Sequence, residues 1–434
     1  MAQRLSQPFV SFAQIETASA LLLLAMTVVA LTWANLPHYG ETYHHFWELP
    51  LGVQLGSFGI SLSLHGWVND ALMAIFFFVV GMEIKRELVA GELASLQRAM
   101  LPIFGALGGM VAPALIYTSF HFGGPAMRGW GIPMATDIAF AVAALSLLGS
   151  RVPPGLKVFL LALAIADDLG AIAVIAIFYT SDLSIAWMGT AAAIFAFVYA
   201  MNLAGVRAIP AYIVVGGFAW FATHESGVHA TVAGVILGLL TPTVTDVPVR
   251  SVLDRTFESI LSLREFVTRN DAALDNRHRQ ELLRRLSESR EILSPLDFLT
   301  HRLEPWVGFV IMPIFALSNA GVVVGTEMLA SERTVGVATA VALGLLIGKP
   351  IGITLFSYAA VKLRLATLPN HVNWTVLLAT GLLAGIGFTV ALFITSLAFE
   401  DPSFTDGAKV GILCASAAAG VLGVAVLARA LPQR

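Results

Sequence analysis

LALAIADDLGAIAVIAIFYT, residues 161–180, is apolar over most of twenty positions, yet Asp167 and Asp168 stand side by side in its first half. Twenty apolar residues in a helix rise ~30 Å, the thickness of a bilayer's hydrocarbon core. Insertion scales put a charged side chain at a helix centre at roughly 2.5–3.5 kcal/mol, so a chain that keeps two is using them or pairing them. Neighbouring side chains on a helix diverge by ~100°. The two aspartates therefore do different jobs: one faces a cavity where an ion arrives, while the other reaches a partner on another helix.

Comparable runs recur from end to end. The 434 residues are 57% hydrophobic and 12% charged, with mean hydropathy +0.81, far from the soluble balance of about 25% charged. Hydropathy and Gly/Pro punctuation place twelve spans near 13–35, 67–85, 99–121, 130–148, 156–179, 184–204, 208–223, 228–241, 305–324, 335–360, 374–399 and 408–430. The expectation is an all-α polytopic membrane protein, with residues 1–434 forming one transmembrane transporter domain. A net charge of −3 and the lack of an arginine-rich tail give no case for a nucleic-acid partner. Cys414 is the sole cysteine, which excludes an internal disulfide and a thiolate metal site. The N-terminal stretch has no small-residue cleavage site before its apolar run, so the first span is expected to be retained.

Lys and Arg set the orientation. Lys85, Arg86, Arg98, Arg151, Lys157, Arg207, Lys362 and Arg364 fall in alternate connections, and both termini carry arginine, so both ends are expected in the cytoplasm. The intervening connections TSDLS and THESG carry neither residue. In the first outer loop, VQLGSFGISLSLH (53–65) alternates at Phe58, Ile60, Leu62 and Leu64 around a Gly56-Ser57 turn. This predicts a small extracytoplasmic β-hairpin, whose edge suits pairing with a second copy. Residues 243–304 hold ten basic and eleven acidic residues and read as a cytoplasmic charged helical insertion. Val249, Leu253, Phe257, Ile260 and Leu261, then Leu282, Leu286 and Leu293, fall at helical spacing and predict two amphipathic helices. A solvated hairpin and a lid over the cytoplasmic entrance are both open readings.

Ionisable groups at membrane depth are few outside that insertion: Asp70, Glu83, Asp137, Asp167, Asp168 and Lys349. Lys349 is the only lysine deep in a span, and an unpaired buried ammonium would find a carboxylate or lose its proton. It is the natural partner for one aspartate, with a static bridge between spans as the alternative use. Span four carries Gly131, Pro133, Thr136 and Asp137, and span eleven carries Gly381, Gly385 and Gly387, so both read as broken helices. They occupy corresponding places in two three-span units, spans three to five and ten to twelve, of opposite starting orientation. Paired interrupted spans in inverted repeats point to a transporter's midplane binding site. Opposed half-helix dipoles there need countercharges, which Asp137 and Lys349 can supply. His38, His44 and His45 lie together in an outer loop but read as solvated, so no metal centre is assigned.

ATDIAF (135–140), IADDLGAI (165–172), GMEIKREL (81–88), SGVHATVAGV (226–235), GLLIGKPIGI (344–353) and GIGFT (385–389) resemble the bacterial NhaA-type Na+/H+ antiporters. The resemblance covers the chain apart from much of the insertion. That family is itself a standing example of inverted repeats, so the repeat argument and the resemblance are not independent. The resemblance implies a twelve-span inner-membrane protein that expels Na+ or Li+ in exchange for H+, driven by the proton gradient, with no cofactor. It implies that Asp168 binds the ion or a proton, that Asp167 pairs with Lys349, and that Thr136 and Asp137 form the broken-helix site. It also implies a homodimer joined through the 53–65 hairpin. A pH-sensing region is implied at Glu83, Lys85, Glu87 and His301, with His229 linked to the same response. This sequence departs from the family pattern at LTHRLEPW (299–306), where Thr300 and Glu304 replace an acid and a histidine.

The expected mechanism is competition of Na+ and H+ for one carboxylate. Na+ is a hard cation suited to carboxylate, hydroxyl and carbonyl oxygens. Exchange of two protons for one Na+ would be electrogenic, and alkaline conditions would favour Na+ binding. A proton-coupled carrier of an organic solute would need more aromatic, Arg or Asn groups at the midplane. A passive channel would need a ring of filter groups. Nothing in the pattern calls for enzymatic chemistry.

Overall fold

A computed structural model describes residues 2–55, 58–180, 183–206, 208–243, 294–325, 328 and 330–432, with side chains from Thr17 onward and outside 53–58. The chain is helical almost throughout. In order come α1 (Ala2–Asn35), α2 (Gly40–Glu48), the strands β1 (Pro50–Leu55) and β2 (Phe58–Ser63), and α3 (Leu64–Ala90). Then follow α4 (Leu96–His121), a 3₁₀ stretch at Pro125–Met134, α5 (Ile138–Ser146), α6 (Pro154–Phe178), α7 (Ile185–Leu203), α8 (Ile209–Glu225) and α9 (Thr231–Leu240). The C-terminal part holds α10 (295–319), α11 (Glu332–Lys362), α12 (Trp374–Ala384), α13 (Phe388–Ala398) and α14 (Pro402–Ala430).

Among the described residues, seven helices are long and apolar enough to cross a membrane, and up to nine if each of two bent pairs forms one span. The chain is a multi-pass membrane protein. Sequence reading places twelve spans, three more than these nine; the seventh, expected over 208–223, is the 17-residue α8, only just short of that length. The eighth, expected over 228–241, is a helix of only 10 residues, which rises ~15 Å, about half the hydrocarbon core. The ninth, expected from 305, starts ten residues earlier at Pro295, and its first turns carry Asp297, His301, Arg302 and Glu304 rather than apolar residues. The helices expected within the insertion lie outside the described residues, which resume at Ser294.

The predicted hairpin forms. β1 and β2 pair antiparallel in a register that sets Leu51 opposite Leu62 and Val53 opposite Ile60. Its turn, Gly56-Ser57, lies outside the described residues. Ser63 caps α3 by accepting from Gly66 N at 3.1 Å, and Trp67 Nε1 donates to Leu51 O at 2.8 Å, tying the hairpin to that helix.

Three helices contain a single widened π turn, at Val68–Leu72, Val307–Ile311 and Gly344–Gly348. The second and third each end one residue before an X-Pro pair, Met312-Pro313 and Lys349-Pro350. Proline lacks an N–H and its ring crowds the carbonyl four residues back. A π turn just before it lets the helix continue past that conflict.

Backbone proximity rather than side-chain bulk packs the central helices. A Cβ on Gly108 of α4 would strike the carbonyl of Gly352 in α11, and one on Gly352 would strike Gly108. Likewise a Cβ on Gly81 of α3 would lie 2.6 Å from Val235 O in α9. In a bilayer, such small-residue contacts are what lets dispersion hold helices together. The same close packing brings α6, α11 and the two bent pairs around one buried polar cluster.

Candidate functional site

The two bends sit at 135–137, between Pro125–Met134 and α5, and at 385–387, between α12 and α13, turning the chain by 41° and 50°. Proline and asparagine-like chemistry explains the first: Pro133 cannot extend a helix, and Asp137 takes the N-cap of α5, its Oδ1 accepting from Phe140 N at 3.2 Å. Glycine explains the second, since a side chain at Gly385 would meet Leu345 O at 2.5 Å. The breaks cross. Asp137 N donates to Ile386 O at 2.6 Å, and Asp137 Oδ2 accepts from Thr389 N at 3.2 Å and from the Thr389 hydroxyl. One carboxylate thus faces the positive N-terminal ends of both α5 and α13.

The negative end of α12 is met from the other side. Thr136 Oγ1 lies 2.9 Å from Ala384 O and 2.6 Å from Asp167 Oδ2, donating its proton to one of them, and it accepts from Lys349 Nζ. Lys349 Nζ also donates to Asp167 Oδ2, forming a buried ion pair. Lys349 is 0% exposed and Asp167 3%. The cation enters α11 directly after the π turn at Gly344–Gly348, a feature that sequence reading missed although the Lys349-Pro350 pair carried its signal.

Asp168 is 4% exposed and turns to a different environment. It lines a cavity of about 200 Å³ that also reaches Thr136, Asp137, Thr389, Glu83 and Glu304. Among the described residues, its Oδ1 is buried without a hydrogen-bond partner, as is Oδ1 of Asp167. Buried polar atoms are ordinarily satisfied, and a carboxylate oxygen left open beside a cavity is a ready ligand for a proton or a hard cation. Thr136 and Thr389 bring hydroxyl-bearing residues to the same wall.

The residues for which the resemblance implies a pH response separate in space. Glu83 and Glu87 line the cavity, and Glu87 also accepts from Glu92 N at 2.9 Å. Lys85 points instead to the end of α9, where Nζ donates to Thr241 O at 2.6 Å and complements that helix's C-terminal dipole. His301 is exposed on α10 and lies outside the cavity wall. His229 belongs to a second cluster, with Nε2 3.4 Å from Asp70 Oδ1 and Nδ1 2.8 Å from Thr231 Oγ1. His224 Nδ1 stands 3.9 Å from the other oxygen of Asp70, and Trp220 stacks between His224 and Trp67. Thr389 is the site residue that sequence reading passed over; its place two residues after the break in GIGFT was the available cue.

With that geometry in hand, comparison with known proteins is informative. The sequence model of the family described as Na+/H+ antiporter 1 matches residues 10–427. The Na(+)/H(+) antiporter NhaA of Rhodopirellula baltica is 47% identical over 429 residues, 98% of this chain and 95% of that protein. The Na(+)/H(+) antiporter NhaA 2 of Myxococcus xanthus is 49% identical over 421 residues, covering 96% and 88%. That of Rhizobium meliloti is 45% identical over 429 residues, covering 98% and 95%. A match of this extent means that the chain belongs to the Na+/H+ antiporter NhaA family.

Proposed function

We propose that this protein is a secondary antiporter that expels Na+ or Li+ in exchange for protons, electrogenically and with greater activity at alkaline pH. It does so as a twelve-span inner-membrane homodimer, joined through the 53–65 hairpin, with both termini cytoplasmic and two inverted repeats around the site. One observation carries the reading: Asp168 lines the cavity and keeps a buried carboxylate oxygen without a hydrogen-bond partner, while its neighbour Asp167 is held by Lys349.

Asp168 exchanges a proton for the cation. A carboxylate cannot hold both, so the arrival of Na+ requires the proton to leave and the reverse, which couples the two fluxes at one atom. Thr136 and Thr389 hydroxyls and the carbonyls at the breaks replace part of the water shell of the ion. Asp137 stays with the two helix ends, where its charge offsets their dipoles. Lys349 gives up a second proton when Asp167 turns from it toward the ion, so two protons move per Na+. One net charge then crosses per cycle, and the membrane potential contributes ~2.3 kcal/mol per 100 mV. Rocking of one repeat against the other exposes the site to alternate sides.

A pH-sensitive dye in everted vesicles carrying the protein tests the reading. Addition of Na+ or Li+ should dissipate a preformed proton gradient, and addition of K+ should not. A gradient untouched by Na+ would rule the reading out.

A further inference from the structure

The inner wall of the cavity holds an acid that the exchange step does not use. Glu304 stands on the first part of α10, half-buried, with its side chain at the wall that also carries Glu83, Arg86 and Glu87. Asp297, His301 and Glu304 follow one another at i, i+4 and i+7 along one face of that helix. Burial pushes the Glu304 carboxyl above the usual carboxylate range, and the nearby charges of Arg86 and His301 oppose that shift. Arg86 is the only cation in the cavity wall among the described residues.

Arg86 is already engaged. Its guanidinium donates to Asp297 Oδ1 at 2.9 Å, and Asp297 is itself fixed, its Oδ2 accepting from Ser294 Oγ at 2.7 Å and its N donating to that hydroxyl at 3.0 Å. Glu87 is occupied by Glu92 N. Glu304 accepts no hydrogen bond among the described residues. An acid beside a cation that is turned elsewhere keeps a negative potential for anything entering the cavity, and a cleft with low-dielectric walls concentrates that field. Asp168, with one buried oxygen unpartnered, lines the same cavity as Glu304, so the ion that Glu304 attracts has a destination.

Resting on the antiporter reading, we infer that Glu304 sets this chain's affinity for Na+ by recruiting the cation at the inner mouth of the cavity, and that Asp297 keeps Arg86 from neutralising it. Glu304 is a positioning residue: it holds the cation near the entrance and takes no part in the exchange at Asp168.

The test measures Na+-dependent proton movement by the full-length protein in everted vesicles at one fixed pH, for the unaltered chain, E304Q, E304D, D297A and the D297A/E304Q pair. A unit charge ~4 Å from a cation in water is worth about a fivefold change in local concentration. E304Q should therefore raise the half-saturating Na+ concentration about fivefold with the maximal rate unchanged, and E304D should restore it. D297A should give a similar rise by releasing Arg86 toward Glu304, and it should add nothing to E304Q. The E304Q effect should shrink as choline chloride is added, because salt screens an entrance charge. Half-saturation does not depend on how much protein reaches the membrane, so poor folding of one variant leaves the reading intact. An unchanged half-saturation in E304Q, or a lowered maximal rate without such a change, would overturn the inference. A silent D297A would overturn the part given to Arg86. If the unaltered chain moved no protons on Na+ addition, the antiporter reading would fall and this inference with it.

Discussion

Lys349 and Asp167 form an ion pair in which the ammonium is wholly inaccessible and the carboxylate nearly so, joined through the hydroxyl of Thr136 to the end of α12. Removing one partner of a buried pair strands the other's charge, which typically costs 3–5 kcal/mol. Lys349→Ala is expected to lower the thermal midpoint of the detergent-purified protein strongly. Lys349→Met combined with Asp167→Asn should lose less than either single change. In proteoliposomes the surviving exchange of Lys349→Ala should move no net charge, measured as current per Na+. An unchanged current would remove Lys349 as the second proton carrier.

Thr389 should matter through Asp137. Thr389→Val deletes the hydroxyl that Asp137 accepts from while leaving shape and the backbone contact in place. The expected loss is about 1–3 kcal/mol of stability, the usual penalty for a buried acceptor left short of a donor. Thr389→Ser should recover most of it. Equal midpoints for the valine and serine forms would contradict the role given to that hydroxyl.

How much of this was legible beforehand differs from residue to residue. The ~100° divergence of Asp167 and Asp168 follows from helix geometry alone, and the cavity on one side with the lysine on the other agrees with it. Which aspartate lines the cavity and which pairs with the lysine was not legible from spacing, because Lys349 and Thr136 arrive from other helices. Pro133 and Asp137 marked the first bend because each acts on its own backbone. The Thr389–Asp137 contact joins residues far apart in the chain, and local pattern carries no trace of such a pairing. The π turn before Lys349 left no mark in the apolar periodicity, which over five residues scarcely differs between an α and a π turn; only the Lys349-Pro350 pair pointed to it. The ten-residue α9 was overestimated for a related reason: its apolar run continues through residues that are not helical.

Proton and Na+ competition for Asp168 fixes the sign of a pH effect. Raising pH frees the carboxylate, so the half-saturating Na+ concentration should fall with rising pH and then level off once the proton no longer competes. A single competing proton makes the fall about tenfold per pH unit over the acid limb. Initial rates across a pH series at several Na+ concentrations would show it. A half-saturation that ignores pH, with only the maximal rate changing, would argue against a shared carboxylate.

The hairpin offers an edge for a second copy, with Leu51 and Leu62 paired across its strands. Replacing residues 51–62 by a short Gly/Ser link should convert the purified protein to a monomer by light scattering while each chain still exchanges Na+. A dimer that survives the replacement would place the interface elsewhere.

The central claim is that the proton and the cation share Asp168. Titrating purified protein with NaCl in a weakly buffered solution and following proton release measures this without vesicles or a gradient. The unaltered chain should release protons as Na+ binds, and Asp168→Asn should release none and bind no Na+. Sodium-linked proton release that persists in Asp168→Asn would contradict the account.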